Sequence, residues 1–172
     1  MFTIYKAALS DIPLIRTLTF RVWPQTYAPI ISKEQIEFML EMMYSETSLQ
    51  KQMKEGCYFI IVNNEVEPVG FASYQETEPS IFKLHKIYVL PSQQGQGIGK
   101  FLIDYIFADI QQQGATAMQL QVNRNNNARN FYEKSGFTII GKADFDIGND
   151  YFMNDYIMEK KLNQADSIKV FS

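Results

Sequence analysis

The stretch Val89-Leu90-Pro91-Ser92-Gln93-Gln94-Gly95-Gln96-Gly97-Ile98-Gly99-Lys100 constrains this chain more than any other. A strand-like run, IFKLHKIYV, leads into it, and a helix-like run, GIGKFLIDYIFADIQQQG, leaves it and stops at Gly114. Glycines at alternate positions let the backbone adopt positive φ and leave it bare to a ligand. A strand feeding a glycine turn into a helix start presents open amides and the positive end of the helix dipole, which suits an anion, phosphate above all. Two common phosphate motifs fail. A P-loop needs glycine at Gln94 and Ser or Thr at Phe101; the dinucleotide pattern Gly-x-Gly-x-x-Gly meets Lys100 or Leu102 at its third glycine.

Composition narrows the classes. A chain of 172 residues suggests one domain over 1–172, large enough for a full core, and 46% hydrophobic with 20% charged residues is ordinary for a globular protein. Net charge is −3 with no basic block, so no nucleic-acid partner is expected. One cysteine, Cys57, and one histidine, His85, exclude an internal disulfide and a Cys-based zinc site, and no metal is expected. Cys57 reads as a buried, inert thiol. No signal peptide is read in MFTIYKAALSD and no run of 18 apolar residues occurs, so a cytoplasmic protein with no membrane partner is expected.

The periodicity predicts β, helices, three strands, helix, strand, helix and two strands. That order is α+β or mixed α/β with a largely antiparallel sheet. Ser10 is the expected N-cap of a first helix with apolar stripe Ile12, Ile15, Leu18 and Val22, and Pro24 and Pro29 mark PQTYAPI as a loop. Ser32 with Gln35 fits a capping box for a helix to about Met43, followed by a short one near Thr47 to Lys54. The long helix is expected to bury Ile98, Phe101, Leu102, Tyr105 and Ile106. The tail from Asn163 reads as frayed, with Ile168, Val170 and Phe171 available to dock.

A third loop pattern, Gln/Arg-x-x-Gly-x-Gly/Ala, does fit Gln94 to Gly99. It resembles the pyrophosphate loop of the GCN5-related N-acetyltransferase (GNAT) family. LHKIYVLP precedes it as that family's fourth strand does. About 30 residues on, NNNARNFYEKSGF is similar to the family's Asn-x-x-Ala-x-x-x-Tyr-Glu-Lys-x-Gly-Phe, with Asn125, Ala128, Tyr132, Glu133, Lys134, Gly136 and Phe137 in register. The resemblance covers roughly Cys57 to Leu162. TFRVWPQTY and ISKEQIEFML further resemble the polyamine-acetylating branch.

The resemblance implies a central twisted, mostly antiparallel sheet with one splayed parallel pair, flanked by helices. It implies acetyl-CoA as co-substrate and a small-molecule amine, such as a polyamine, as acceptor. Alternatives are a protein or peptide amino group, or a non-catalytic acyl-CoA sensor. The diphosphate would lie on the amides of Gln94, Gly95, Gln96, Gly97, Ile98, Gly99 and Lys100. Apolar parity slips between Phe82/Leu84 and Ile87/Val89, which suggests a β-bulge at His85 and Lys86. The splay against Gln119 to Asn123 would hold the thioester, with the N–H of Ile87 or Tyr88 facing its carbonyl and Val89 beside the pantetheine.

Asn125 is expected to cap the short helix and touch pantetheine, with Lys134 nearby, and Tyr132 to act as general acid to the sulfur. For the base, His85 and Glu76 are the candidates; Glu78, Asp155 and Tyr156 also lie on the relevant strands. Trp23 and Tyr27 either line the acceptor pocket or pack in the core. Homodimers are frequent in such a family, and DYIMEKKL offers a strand edge for one.

Overall fold

The computed structural model describes residues 1–162. The chain runs β1 (Thr3–Lys6), a 3-10 turn, α1 (Ile12–Tyr27), α2 (Lys33–Tyr44), α3 (Glu46–Lys54), β2 (Tyr58–Asn63), β3 (Pro68–Glu78) and β4 (Ile81–Val89). A second 3-10 turn (Pro91–Gln93) leads to α4 (Ile98–Gln112), β5 (Ala117–Asn123), α5 (Ala128–Lys134), β6 (Thr138–Gly148) and β7 (Tyr151–Lys161). The strands hydrogen-bond in the order β1-β2-β3-β4-β5-β7-β6. β4 and β5 are parallel, and β1–β2, β2–β3, β5–β7 and β6–β7 are antiparallel. This is the mixed α/β, mostly antiparallel architecture that the order of elements predicts. Two compact units make it up: Met1–Gln75 with Lys86–Leu102, and Glu76–His85 with the chain from Ile103 onward.

In the first unit, local chemistry sets the helix ends. Ser32 Oγ accepts from Gln35 N (3.1 Å) at the start of α2, and Ser45 Oγ from Ser48 N (3.2 Å) at the start of α3. Gly56, at φ +98°, ends α3. α1 corrects the sequence reading twice. Ser10 sits in a 3-10 turn rather than at the cap, and the helix continues through Pro24 to Tyr27. Pro24 lacks the N–H that the Phe20 carbonyl would accept, but Phe20 is an exposed residue, so water can satisfy that oxygen. Packing supplies the rest. Ile15, Leu18, Val22 and Trp23 are buried, and the Trp23 ring lies 4.4 Å from Tyr27 and 5.6 Å from Tyr44. Each such side chain contributes about 1.5–3 kcal/mol on burial. β2 buries Phe59 to Val62 without alternation, as a strand covered on both faces does.

In the second unit, the β4–β5 pairing runs from Ile81↔Ala117 to Leu84↔Leu120, while both strands continue beyond it, to Val89 and Asn123. The pairing thus ends beside His85, where the parity slip is read. α4 buries Leu102, Ile103, Ile106 and Ile110, not Phe101, which is 40% exposed. Phe137 packs 6.0 Å from Phe107 and 6.0 Å from Tyr132. β7 lies between β5 and β6 from Asp155 to Glu159, so most of DYIMEKKL is not an edge and that reading is corrected. Ile168, Val170 and Phe171 lie outside the described residues.

Candidate active site

The first unit holds the glycine loop. Gly95 (φ +84°) and Gly97 (φ +80°) adopt left-handed backbone, and a Cβ on either would meet nothing within 4 Å. Glycine is needed there for conformation, while the space beside it stays open. Gln94 to Gly97 are exposed, and buried Ile98 anchors the start of α4. The ladder begins with Phe101 N donating to Gly97 O (3.0 Å), so the amides of Ile98 and Gly99 precede it. Gln94 Nε2 donates to Val89 O (3.3 Å) and Gln96 Nε2 to Gln93 Oε1 (3.3 Å), which ties the loop to itself.

Ile87, Tyr88 and Val89, all half-buried, lead into that loop. A Cβ on Gly70 of β3 would stand 2.6 Å from Tyr88 O, so β3 and β4 approach as only glycine permits. Leu90 N donates to Val69 O (2.8 Å) just beyond. The Tyr88 and Tyr27 hydroxyls share a hydrogen bond of 3.0 Å. Burial, and then the neighbouring Tyr27, push the Tyr44 phenol well above its ordinary pKa. Lys86 Nζ donates to Gln52 Oε1 (2.7 Å) and sits 5.3 Å over Tyr44 and 5.6 Å over Phe59. Trp23 is core, while Tyr27 joins that core to Tyr88. Cys57 is half-buried rather than buried. Its Sγ donates to Gln75 Oε1 (3.3 Å), and desolvation raises the thiol's pKa.

The second unit holds the remaining candidates. His85 is half-buried on β4. Glu76 is exposed, and its Oε1 accepts from Ser80 N (3.0 Å), closing the β3–β4 turn in which Ser80 takes φ 65°. Asn125 is exposed and does not cap α5: its N–H donates to Asn123 Oδ1 (2.9 Å), Ala128 N donates to Asn126 Oδ1 (2.9 Å), and Asn127 occupies the cap. The Asn-rich run folds into two Asx turns, in which Asn123 and Asn126 each serve the amide two residues on. Tyr132 is 9% exposed, 5.4 Å from Phe131. Lys134 is exposed in the last turn of α5, where a cation suits the dipole.

Asp155 of β7 is 3% exposed, the one charged side chain buried among the described residues. Burial raises its pKa to about 6, against the pull of Lys83 and Arg124. The same burial lowers the pKa of Lys83, offset by Asp155. Sequence reading passes over Lys83, the Tyr88 hydroxyl and Tyr44; for Lys83 and Tyr88 the available signal is a polar group within strand β4, while Tyr44 ends helix α2. Among the described residues no group of three His, Cys, Asp or Glu side chains forms a metal cluster, and no helix is long and apolar enough to cross a membrane.

A family model described as an acetyltransferase (GNAT) domain matches residues 27–152, well over half of the chain. The chain belongs to the GNAT family. An uncharacterized N-acetyltransferase of Mycobacterium bovis is 26% identical over 156 residues, covering 90% of this chain and 99% of its own. The ribosomal-protein-bS18 alanine N-acetyltransferase of Haemophilus influenzae is 34% identical over 95 residues, covering 54% of this chain and 58% of its own. Among solved structures, the PaiA N-acetyltransferase of Thermoplasma acidophilum in complex with coenzyme A aligns with TM-score 0.80 and 26% identity, covering 94% of this chain and 99% of that one. This GNAT protein is an N-acetyltransferase.

Proposed function

We propose that this GNAT protein moves the acetyl group of acetyl-CoA to a primary amine of a small molecule, with polyamines the first acceptor class to test. One observation carries the reading: an open turn with Gly95 and Gly97 at positive φ stands directly ahead of the first amides of α4. That cradle fits a diphosphate. The coenzyme A bound to the structurally similar PaiA protein supports the same donor here.

When bound, acetyl-CoA supplies an acyl group activated as a thioester. Residues Gln94 to Lys100 hold the diphosphate through main-chain amides. Ile87, Tyr88 and Val89 take the pantetheine along the end of β4, and the amide of Ile87 or Tyr88 faces the carbonyl oxygen, where charge develops. Asn125 and Lys134 border the cofactor. Tyr132 gives its proton to the departing sulfur. His85 and Glu76 are proposed to receive the acceptor's proton, although Glu76 already serves the hairpin turn. Resemblance of the α1–α2 region to the polyamine-acetylating branch, and the half-buried ring of Tyr27, support a cationic acceptor.

A second reading, transfer to a protein or peptide amino group, is favoured by the partial match to the bS18 alanine N-acetyltransferase. Purified protein with acetyl-CoA is assayed for thiol release against polyamines, amino acids, aminoglycosides and peptides. Polyamine-dependent release is expected. Peptide-only release favours the second reading, and coenzyme A binding without turnover on any amine refutes both. Sedimentation then establishes whether the protein forms a homodimer.

A further inference from the structure

Asp155 is retained where a carboxylate is costly. It is 3% exposed on β7, opposite Asn123 of β5 and Ala143 of β6. No hydrogen bond or ion pair joins its side chain to another described residue. Neither cross-strand neighbour completes it. Asn123 Oδ1 accepts from the Asn125 amide (2.9 Å), no bond from its Nδ2 joins it to Asp155, and the Ala143 side chain is a methyl group. Structural carboxylates in such places normally gain hydrogen bonds or a contact cation, because burying an uncompensated charge costs several kcal/mol. A buried carboxylate with two cations nearby and no hydrogen-bond donor among the described residues is open to an external donor.

The sheet face agrees. Tyr156, next along β7, lies under Arg129 of α5 (5.5 Å), so α5, which carries Tyr132, covers the Tyr156 face. Asp155 belongs to the opposite face by alternation. Register places Lys83, Gln119, Gln121 and Asn123 on that same face, and Gln119 Nε2 donating to Glu159 Oε2 (2.8 Å) confirms the parity. This face is polar, whereas Met118, Leu120 and Val122 bury the other. The groups bearing on Asp155 are Lys83 of β4, with His85 two residues beyond it, and Arg124 at the end of β5, which is paired with Asp144 of β6. Glu159 lies further along β7, and Arg129 stands on the other face.

We propose that Asp155 is the proton acceptor for the substrate amine, binding its ammonium on the polar sheet face and taking one proton before attack, with Lys83 setting the carboxylate's basicity. The proposal rests on the acetyltransferase reading and assigns the base to Asp155 ahead of His85 and Glu76. The ammonium gives one proton to Asp155, which passes it to solvent. The neutral nitrogen then forms the N–C bond as the C–S bond breaks, and the second proton it sheds balances the one taken by the sulfur. A carboxyl shifted toward the working pH suits this role better than an ordinary, strongly acidic one.

The test compares wild type, Asp155→Asn and Lys83→Met in three measurements: coenzyme A binding by calorimetry, kcat/KM for the amine against pH, and the Asp155 carboxyl titration by NMR. Asp155→Asn is expected to lose on the order of 100-fold or more in kcat/KM and to lose the acid limb near pH 6, with coenzyme A affinity unchanged. Lys83→Met removes a cation that favours the ionised carboxylate, so both the acid limb and the NMR titration should move to higher pH. An Asp155→Asn protein within threefold of wild type, or an acid limb that persists in it, overturns the assignment. So does an Asp155 titration that Lys83→Met leaves in place. Loss of coenzyme A binding in wild type would instead overturn the acetyltransferase reading, and the Asp155 role with it.

Discussion

Replacing Gly70 by alanine tests whether the approach of β3 to the end of β4 matters to both stability and catalysis. The added Cβ would stand 2.6 Å from Tyr88 O, 3.2 Å from Val62 Cγ1 and 3.3 Å from Val89 Cα. The first contact is with backbone, so no side-chain rotation relieves it. Ordinary contact begins near 3.4 Å, and the strands must part by about 0.8 Å. Overpacking of this kind costs about 1–3 kcal/mol. Alanine recovers about 0.4–1 kcal/mol by restricting the unfolded chain. The net loss is about 1–2 kcal/mol, or roughly 2–8 °C in Tm for a chain of this size. The displaced residue is Tyr88, whose main chain is proposed to orient the thioester, and a misplacement of that order costs up to about 100-fold in turnover. Gly141→Ala is the control, because a Cβ there meets nothing within 4 Å and φ is not positive. Thermal denaturation and amine-dependent thiol release read the two effects. If Gly70→Ala matches both wild type and Gly141→Ala in Tm and kcat/KM, the argument from close approach is wrong.

Asp155→Asn should stabilise the protein at neutral pH. The folded pKa of about 6 lies above the ordinary 3.8, so the ionised form is penalised in the fold, and stability falls as pH rises from about 4 to 6 and stays lower above that. The asparagine protein should gain about 1–3 kcal/mol at pH 7 and nothing below pH 4, read from urea midpoints across pH; a gain independent of pH would contradict the burial account. Gly97→Glu has room for its side chain but puts a carboxylate beside the proposed diphosphate, in a strained φ +80° backbone. Coenzyme A affinity should fall at least about 100-fold by calorimetry, for a stability loss of about 1–2 kcal/mol; unchanged affinity refutes the loop assignment. Tyr132→Phe should lower kcat by about tenfold or more while leaving coenzyme A affinity nearly intact, and equal rates would remove the phenol from the mechanism.

Much of the candidate site's backbone was legible because its signals are local. The glycine loop declares itself through residues that tolerate positive φ, and Ser32 names the start of α2 because a hydroxyl can reach an amide three residues away. Where sequence reading failed, a distant partner had decided. Pro24 looks like a helix stop, yet Tyr27 stays helical because its ring packs on Trp23 and its hydroxyl meets Tyr88. Asn125 looks like a cap by its place in a motif, but neighbouring asparagines take the amides first.

Chain order and periodicity were enough to determine a mixed α/β protein with a strand–glycine turn–helix junction, since hydrogen-bonding periods and φ preferences belong to each segment. Tertiary structure alone decided that β7 is flanked by β5 and β6, that β4–β5 pairing stops at Leu84 and Leu120, and that Asp155 is buried with Lys83 and Arg124 as its nearby cations. Strand order, and the desolvation of a charge, depend on which segments meet, and residue spacing along one chain does not encode that.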